Sequence, residues 1–165
     1  MKALFNATVW RALLPALACL STAGAMADSN LKPRQALPIY QQECAACHMA
    51  YPPGLLPARS WARIMAGLEK HYGSDASLDA ATVQQISRWL QTEAGTYKRV
   101  AEEPPEDRLT RSAWFVSKHR KLDAQVWRHT AVKSAANCAA CHTGADQGDF
   151  DDDGVKLPTG VSPRR

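Results

Sequence analysis

Two segments of the chain carry the same five-residue pattern, Cys44-Ala45-Ala46-Cys47-His48 and Cys138-Ala139-Ala140-Cys141-His142. Two thiols separated by two intervening residues, followed at once by an imidazole, form the arrangement that attaches a c-type haem. The spacing follows from the chemistry. Each thiol adds across one of the two vinyl groups along a porphyrin edge, and the next residue lies under the macrocycle with a nitrogen free for iron. Other uses of these residues explain less. A zinc ribbon separates its cysteine pairs by about 15–20 residues, whereas about 90 lie between these two. A thioredoxin-like site needs one such pair on a βαβ scaffold, and no strand pattern is visible. Two disulfides would suit an oxidising compartment but leave the repeated histidine without a role. The expectation is two covalent haems, on Cys44 and Cys47 and on Cys138 and Cys141, with His48 and His142 as proximal iron ligands.

Few residues are available to close the opposite face of each iron. The remaining histidines are His71, His119 and His129, and Met49 and Met65 are the methionines of the mature chain. Met49 directly follows a proximal histidine and cannot reach the far side. His71 ends an apolar helical face and is assigned to the first haem; the rival reading has His71 decorating a helix end, with Met65 or nothing as ligand. For the second haem His119 is preferred to His129, because it shares a helix face with Phe115. An exchange of histidines between halves stays open.

These ligands need elements to hold them. A short helix is expected from Pro38 into the first cysteine pair. Tyr51 to Pro57 holds three prolines, which fix φ and remove donors, so a loop follows. Ser60 reads as the N-cap of a second helix, in which Trp61, Ile64, Leu68 and His71 share one face and which Gly73 ends. Ser77 can cap a third helix, with Asp79 in its first turn, an apolar stripe of Val83, Ile86 and Leu90, and a stop at Gly95. Glu102 to Asp107, with Pro104 and Pro105, is the best boundary between halves. A fourth helix is expected from Thr110 to Leu122, and the tail from Gly144 reads as irregular. No alternation typical of strands is found, so the expected class is all-α.

The N-terminus reads as a signal peptide. Lys2 and Arg11 supply charge, Ala12 to Leu20 is apolar, and Ala25-Met26-Ala27 predicts cleavage after Ala27. The run is shorter than the about 20 residues that span a bilayer, and Pro15 interrupts it. A lipid anchor on Cys19 is disfavoured by Leu17. Cleavage takes Lys+Arg from 20 to 18 against 16 Asp+Glu, leaving no basic stripe that argues for nucleic acid. The predicted division is 1–27 signal peptide, 28–101 first haem domain and 102–165 second haem domain, with Asp28 to Gln35 a loose lead-in and the periplasm as destination.

The runs Trp61-x-x-Ile64-Met65-x-x-Leu68-x-x-His71-Tyr72-Gly73 and Leu109-Thr110-x-x-x-Trp114-Phe115-x-x-x-His119, followed by Val132-Lys133-Ser134-x-x-Asn137-Cys138, resemble the small periplasmic dihaem cytochromes c. The resemblance covers most of residues 38–158. It implies two histidine ligands on each haem and supports His71 and His119 as distal ligands. It also implies a small cytochrome with an open, oxygen-binding haem as partner, with a membrane cytochrome b supplying electrons. Residues 38–95 look in addition like a reduced single-haem cytochrome fold, and the C-terminal half reads as mostly irregular with one or two helices.

Two imidazoles on each iron leave no position for oxygen, peroxide or substrate, and a methionine in their place would raise the potential. The expected function is electron relay without catalysis. The competing class is a haem enzyme or small-ligand sensor with one open site. Asp149-x-Asp151-x-Asp153-Gly154 begins like a calcium-binding EF-hand loop, but Gly160 stands where the last acidic ligand belongs. It reads as a solvated acidic tail or a docking patch for a basic partner.

Overall fold

The computed structural model describes residues 31–162; the predicted signal peptide and Cys19 lie outside them. Five short α-helices, α1 (Pro38–Cys44), α2 (Ala58–Ala66), α3 (Ala80–Glu93), α4 (Ala113–Lys118) and α5 (Ala124–Arg128), are joined by loops and 3₁₀ turns. Among the described residues only isolated β-bridges occur, and the protein is all-α.

α1, α2 and α3 surround one apolar core of Tyr40, Leu56, Trp61, Met65, Ile86 and Leu90. Ile86 and Leu90, one turn apart on α3, are fully buried; residues spaced by four share a helix face. Asp79 caps α3, its carboxylate accepting from the amides of Ala81 and Thr82 at 3.0 Å. The cap is therefore Asp79 and not Ser77. Trp61 donates its indole N–H to the Pro53 carbonyl at 2.8 Å and Trp89 donates to Gln35 at 2.7 Å, so both pack the core with their polar edge satisfied. Gly95 donates to the Leu56 carbonyl and closes the end of α3 on the proline-rich loop. A β-carbon there would lie 2.6 Å from the Gly54 oxygen, which only glycine avoids.

Helix boundaries also differ from the expected ones. α2 starts after Pro57, so Ser60 is its third residue, fully buried, and is not its cap. The helix also stops at Gly67, six residues before Gly73, because glycine combines a high backbone-entropy cost with poor helix propensity. The chain continues as a 3₁₀ turn over Leu68–Lys70. Finally, the single helix expected from Thr110 to Leu122 is shorter: a 3₁₀ turn over Leu109–Arg111 precedes α4, α4 ends at Lys118, and α5 begins beyond that range at Ala124. Ser112 caps α4 by accepting the Phe115 amide at 3.1 Å, and Asp123 caps α5 by accepting the Gln125 amide at 2.8 Å. Serine and aspartate side chains that compete for backbone amides favour helix starts over interiors.

The lead-in is not loose where it is described. Leu31 is buried with Leu55, Ala145 and Phe150, and its amide donates to the Gly148 carbonyl at 3.1 Å. Gly148 has φ +73°, and a β-carbon would meet Lys32 N at 3.0 Å. The segment from Glu102 to Asp107 folds back on α2, where Arg63 grips Asp107 through two hydrogen bonds of 2.8 and 2.6 Å and Glu103 through a third of 2.6 Å.

Candidate haem sites

α1 ends at Cys44, so the first cysteine pair unwinds from a helix whose Tyr40 is anchored in the core. Tyr40 donates its hydroxyl to the Tyr51 carbonyl at 2.6 Å, which folds the chain after His48 back against α1. His48 is exposed, and its Nδ1–H donates to the Met49 carbonyl at 2.6 Å, leaving Nε2 free for a metal. A backbone acceptor on the other ring nitrogen is the usual way a ligating histidine is oriented.

His71 is presented by a turn. Its carbonyl accepts the Ser74 amide at 3.0 Å, and Tyr72 and Gly73 both have positive φ, +52° and +101°. A tyrosine in this conformation is uncommon. It is held by a hydrogen bond to the Asp107 carbonyl at 2.9 Å and by Arg108 over its ring at 4.4 Å. The His48 and His71 rings stand 6.1 Å apart with 20° between their planes. Met65, the rival ligand, is buried in the core on α2.

The second site is built from the other half. His119 closes the C-terminal end of α4, stacked on Phe115 at 4.1 Å, and its Nδ1–H donates to the Phe115 carbonyl at 2.9 Å. Trp127 on α5 meets the same ring edge-on at 5.7 Å. His142 follows a 3₁₀ turn over Cys138–Ala140, and the tail folds across it: Lys156 donates its amide to the Cys141 carbonyl at 2.9 Å. His119 and His142 are 6.2 Å apart with their planes at 77°. His129 faces elsewhere. Its Nδ1 accepts the Ala131 amide at 3.2 Å, and its Nε2 is 3.3 Å from where a Gly160 β-carbon would sit.

These spaces fit haem. Two metal–imidazole bonds of about 2 Å, plus about 1 Å from each nitrogen to its ring centre, span about 6 Å, close to both ring separations. Cys44, Cys47, Cys138 and Cys141 are free thiols, and burial raises Cys44 and Cys138 to about 11. Burial also holds His71, His119 and His142 below the ordinary histidine value, which favours the neutral, metal-binding imidazole. A cavity of about 260 Å³ opens beside Cys138, Cys141, His119 and His142, walled by Trp114, Trp127, Phe150 and other apolar side chains. Of the tryptophans, Trp114 and Trp127 line this cavity while Trp61 and Trp89 serve the first core.

The residue that pattern reading passed over is Tyr51. It stacks on His48 at 4.8 Å, donates to the Ala136 carbonyl at 2.8 Å and packs beside Cys138. It thereby joins the two attachment motifs. Its only signal in the sequence was an aromatic residue three positions after a proximal histidine. At the acidic tail, Asp149 and Asp151 are occupied as turn caps, accepting the amides of Asp151 and Asp153 at 3.0 and 3.2 Å.

The model of the family described as dihaem cytochrome c matches residues 40–150. Solved structures agree. A dihaem cytochrome c from Rhodobacter sphaeroides is 40% identical, with 69% of this chain and 96% of that one covered and a TM-score of 0.61. A dihaem cytochrome type c from Shewanella baltica OS155 is 36% identical, with 77% and 96% covered and a TM-score of 0.65. No curated protein matches the sequence. On this similarity and on its two haem sites, the chain belongs to the dihaem cytochrome c family, whose members are electron-transfer proteins carrying two c-type haems.

Proposed function

We propose that this protein is a periplasmic electron relay in which His48 and His71 close one iron and His142 and His119 close the other. The observation that carries this reading is the facing of the histidines in two pairs at the separation a metal needs. When bound, each haem supplies one reversible electron. The four histidines would hold the two irons from both sides, which would keep small molecules away and let little move when the charge changes. The portions 28–101 and 102–165 each supply the cysteines and histidines of one site. Residues 1–27 act as the export signal, and no helix among the described residues is long and apolar enough to cross a membrane.

The electron donor is a membrane cytochrome b and the acceptor a small soluble cytochrome with an open haem. The relay does no substrate chemistry of its own. Stopped-flow mixing of the reduced holoprotein with an oxidised high-spin cytochrome tests this. Two electrons per chain should pass, with no peroxide consumption by the protein alone. Failure to reduce any haem acceptor, or peroxide turnover, would overturn the proposal.

A further inference from the structure

The two sites differ in their surroundings. The second is an apolar chamber: Phe115, Trp127, Val132 and Phe150 line it, Val132 almost fully buried, and Lys118 and Lys121 stand in its wall. One carboxylate, Asp152, lines the same space and lies 3.7 Å from Lys118. The first site is more polar: the hollow beside His71, about 140 Å³, is lined mainly by Arg63, Lys70, Tyr72, Glu106 and Asp107, whose four charges cancel.

An oxidised haem iron carries one more positive charge than a reduced one. Apolar walls that keep water away penalise the more charged state, and nearby cations do the same by Coulomb repulsion. Both effects raise the potential. At the second site the apolar walls supply the first, while Lys118 and Lys121 are balanced by Asp152 and Asp149; at the first, the charged and hydroxyl groups beside His71 favour the more charged oxidised state.

We infer that the second site holds its electron more tightly than the first, so that electrons enter by way of the His48–His71 site and leave by way of the His119–His142 site. This rests on the proposed closed, two-histidine sites. The internal step is a one-electron transfer: the first site is oxidised, the second reduced, no bond forms or breaks and no proton moves. A low-potential haem protein supplies the electron and a haem acceptor of higher potential removes it. The donor therefore docks on the face beside the first site, at Arg63, Lys70 and Tyr72, and the acceptor on the rim formed by Lys121, Val155 and Leu157.

The test is a spectroscopic redox titration of the holoprotein and two surface variants, Lys121→Glu at the second site and Lys70→Glu at the first. Both lysines are exposed, so the fold should survive. Two waves are expected. Lys121→Glu should shift the more positive wave downward and leave the other in place; Lys70→Glu should shift the more negative one. A third variant, His119→Met, should move the more positive wave further up, because methionine ligation raises the potential. The inference is overturned if Lys121→Glu or His119→Met moves the more negative wave. Binding of carbon monoxide to the reduced protein would instead count against the closed-site reading itself, so the two failures are distinguishable.

Discussion

At the scale of single residues, the two histidine pairs differ in one measurable respect. The His48 and His71 planes are 20° apart, near parallel, and those of His119 and His142 are 77° apart, near perpendicular. Ring orientation decides which iron d orbitals each imidazole destabilises. Parallel rings split the orbital pair strongly, and perpendicular rings leave it nearly degenerate. The oxidised protein should therefore show two low-spin ferric resonances of equal weight, one rhombic and one dominated by a single large g value. Two identical rhombic spectra in electron paramagnetic resonance would contradict the arrangement. The attachment residues were the most legible part of the chain, because covalent chemistry imposes their spacing. The distal partners were legible only as candidates. The helix face shared with Phe115 favours His119 over His129 in the sequence, and the structure adds the spatial difference: one stacks on Phe115, and the other is turned toward Gly160.

At the scale of elements, the helices that lay close to the expected ones, α1 and α3, are those whose apolar period and end signals coincide. α3 has a capping aspartate at one end and Gly95 just past the other. Where a local signal competes with a longer pattern, the local one wins. Gly67 ends α2 despite the apolar Leu68 beyond it, and this frees the turn that presents His71. Ser112 likewise starts α4 inside what the pattern reads as one helix. The Ser112 hydroxyl is 4% exposed as a residue and satisfies the amide of Phe115, the residue on which His119 stacks. Ser112→Ala should cost about 1 kcal/mol of stability by thermal or denaturant unfolding. The loss should be accompanied by perturbation of the second haem's spectrum rather than the first's. An unchanged midpoint would show that the cap does not hold α4.

At the scale of the whole molecule, the two portions are tied together by contacts that no local pattern encodes. Leu31 closes onto Phe150, Tyr51 onto Ala136, and Arg63 onto Asp107. Such long-range pairs leave no periodic trace, which is why the lead-in reads as loose and Tyr51 as one more loop residue. The Arg63 clasp makes a pH prediction. Hydrogen bonds from Arg63 hold Asp107 below the ordinary carboxylate value of 3.8. A carboxyl whose value is depressed on folding contributes stability above its unfolded value and loses it as pH falls through the folded one. Asp107→Asn should therefore melt below the parent at pH 7. The gap should narrow as pH drops beneath 3.8, in thermal unfolding followed across that range. A gap that is constant with pH would show that the carboxylate charge plays no part.

In the proposed relay a histidine closes each side of each iron. Carbon monoxide added to the dithionite-reduced holoprotein tests it directly, because the gas binds only where a sixth position is open. The visible spectrum should not change, while the same addition to a His71→Gly variant should shift about half of the haem absorbance. A shift in the unsubstituted protein would mean that an iron is open and that the two-histidine closure is wrong.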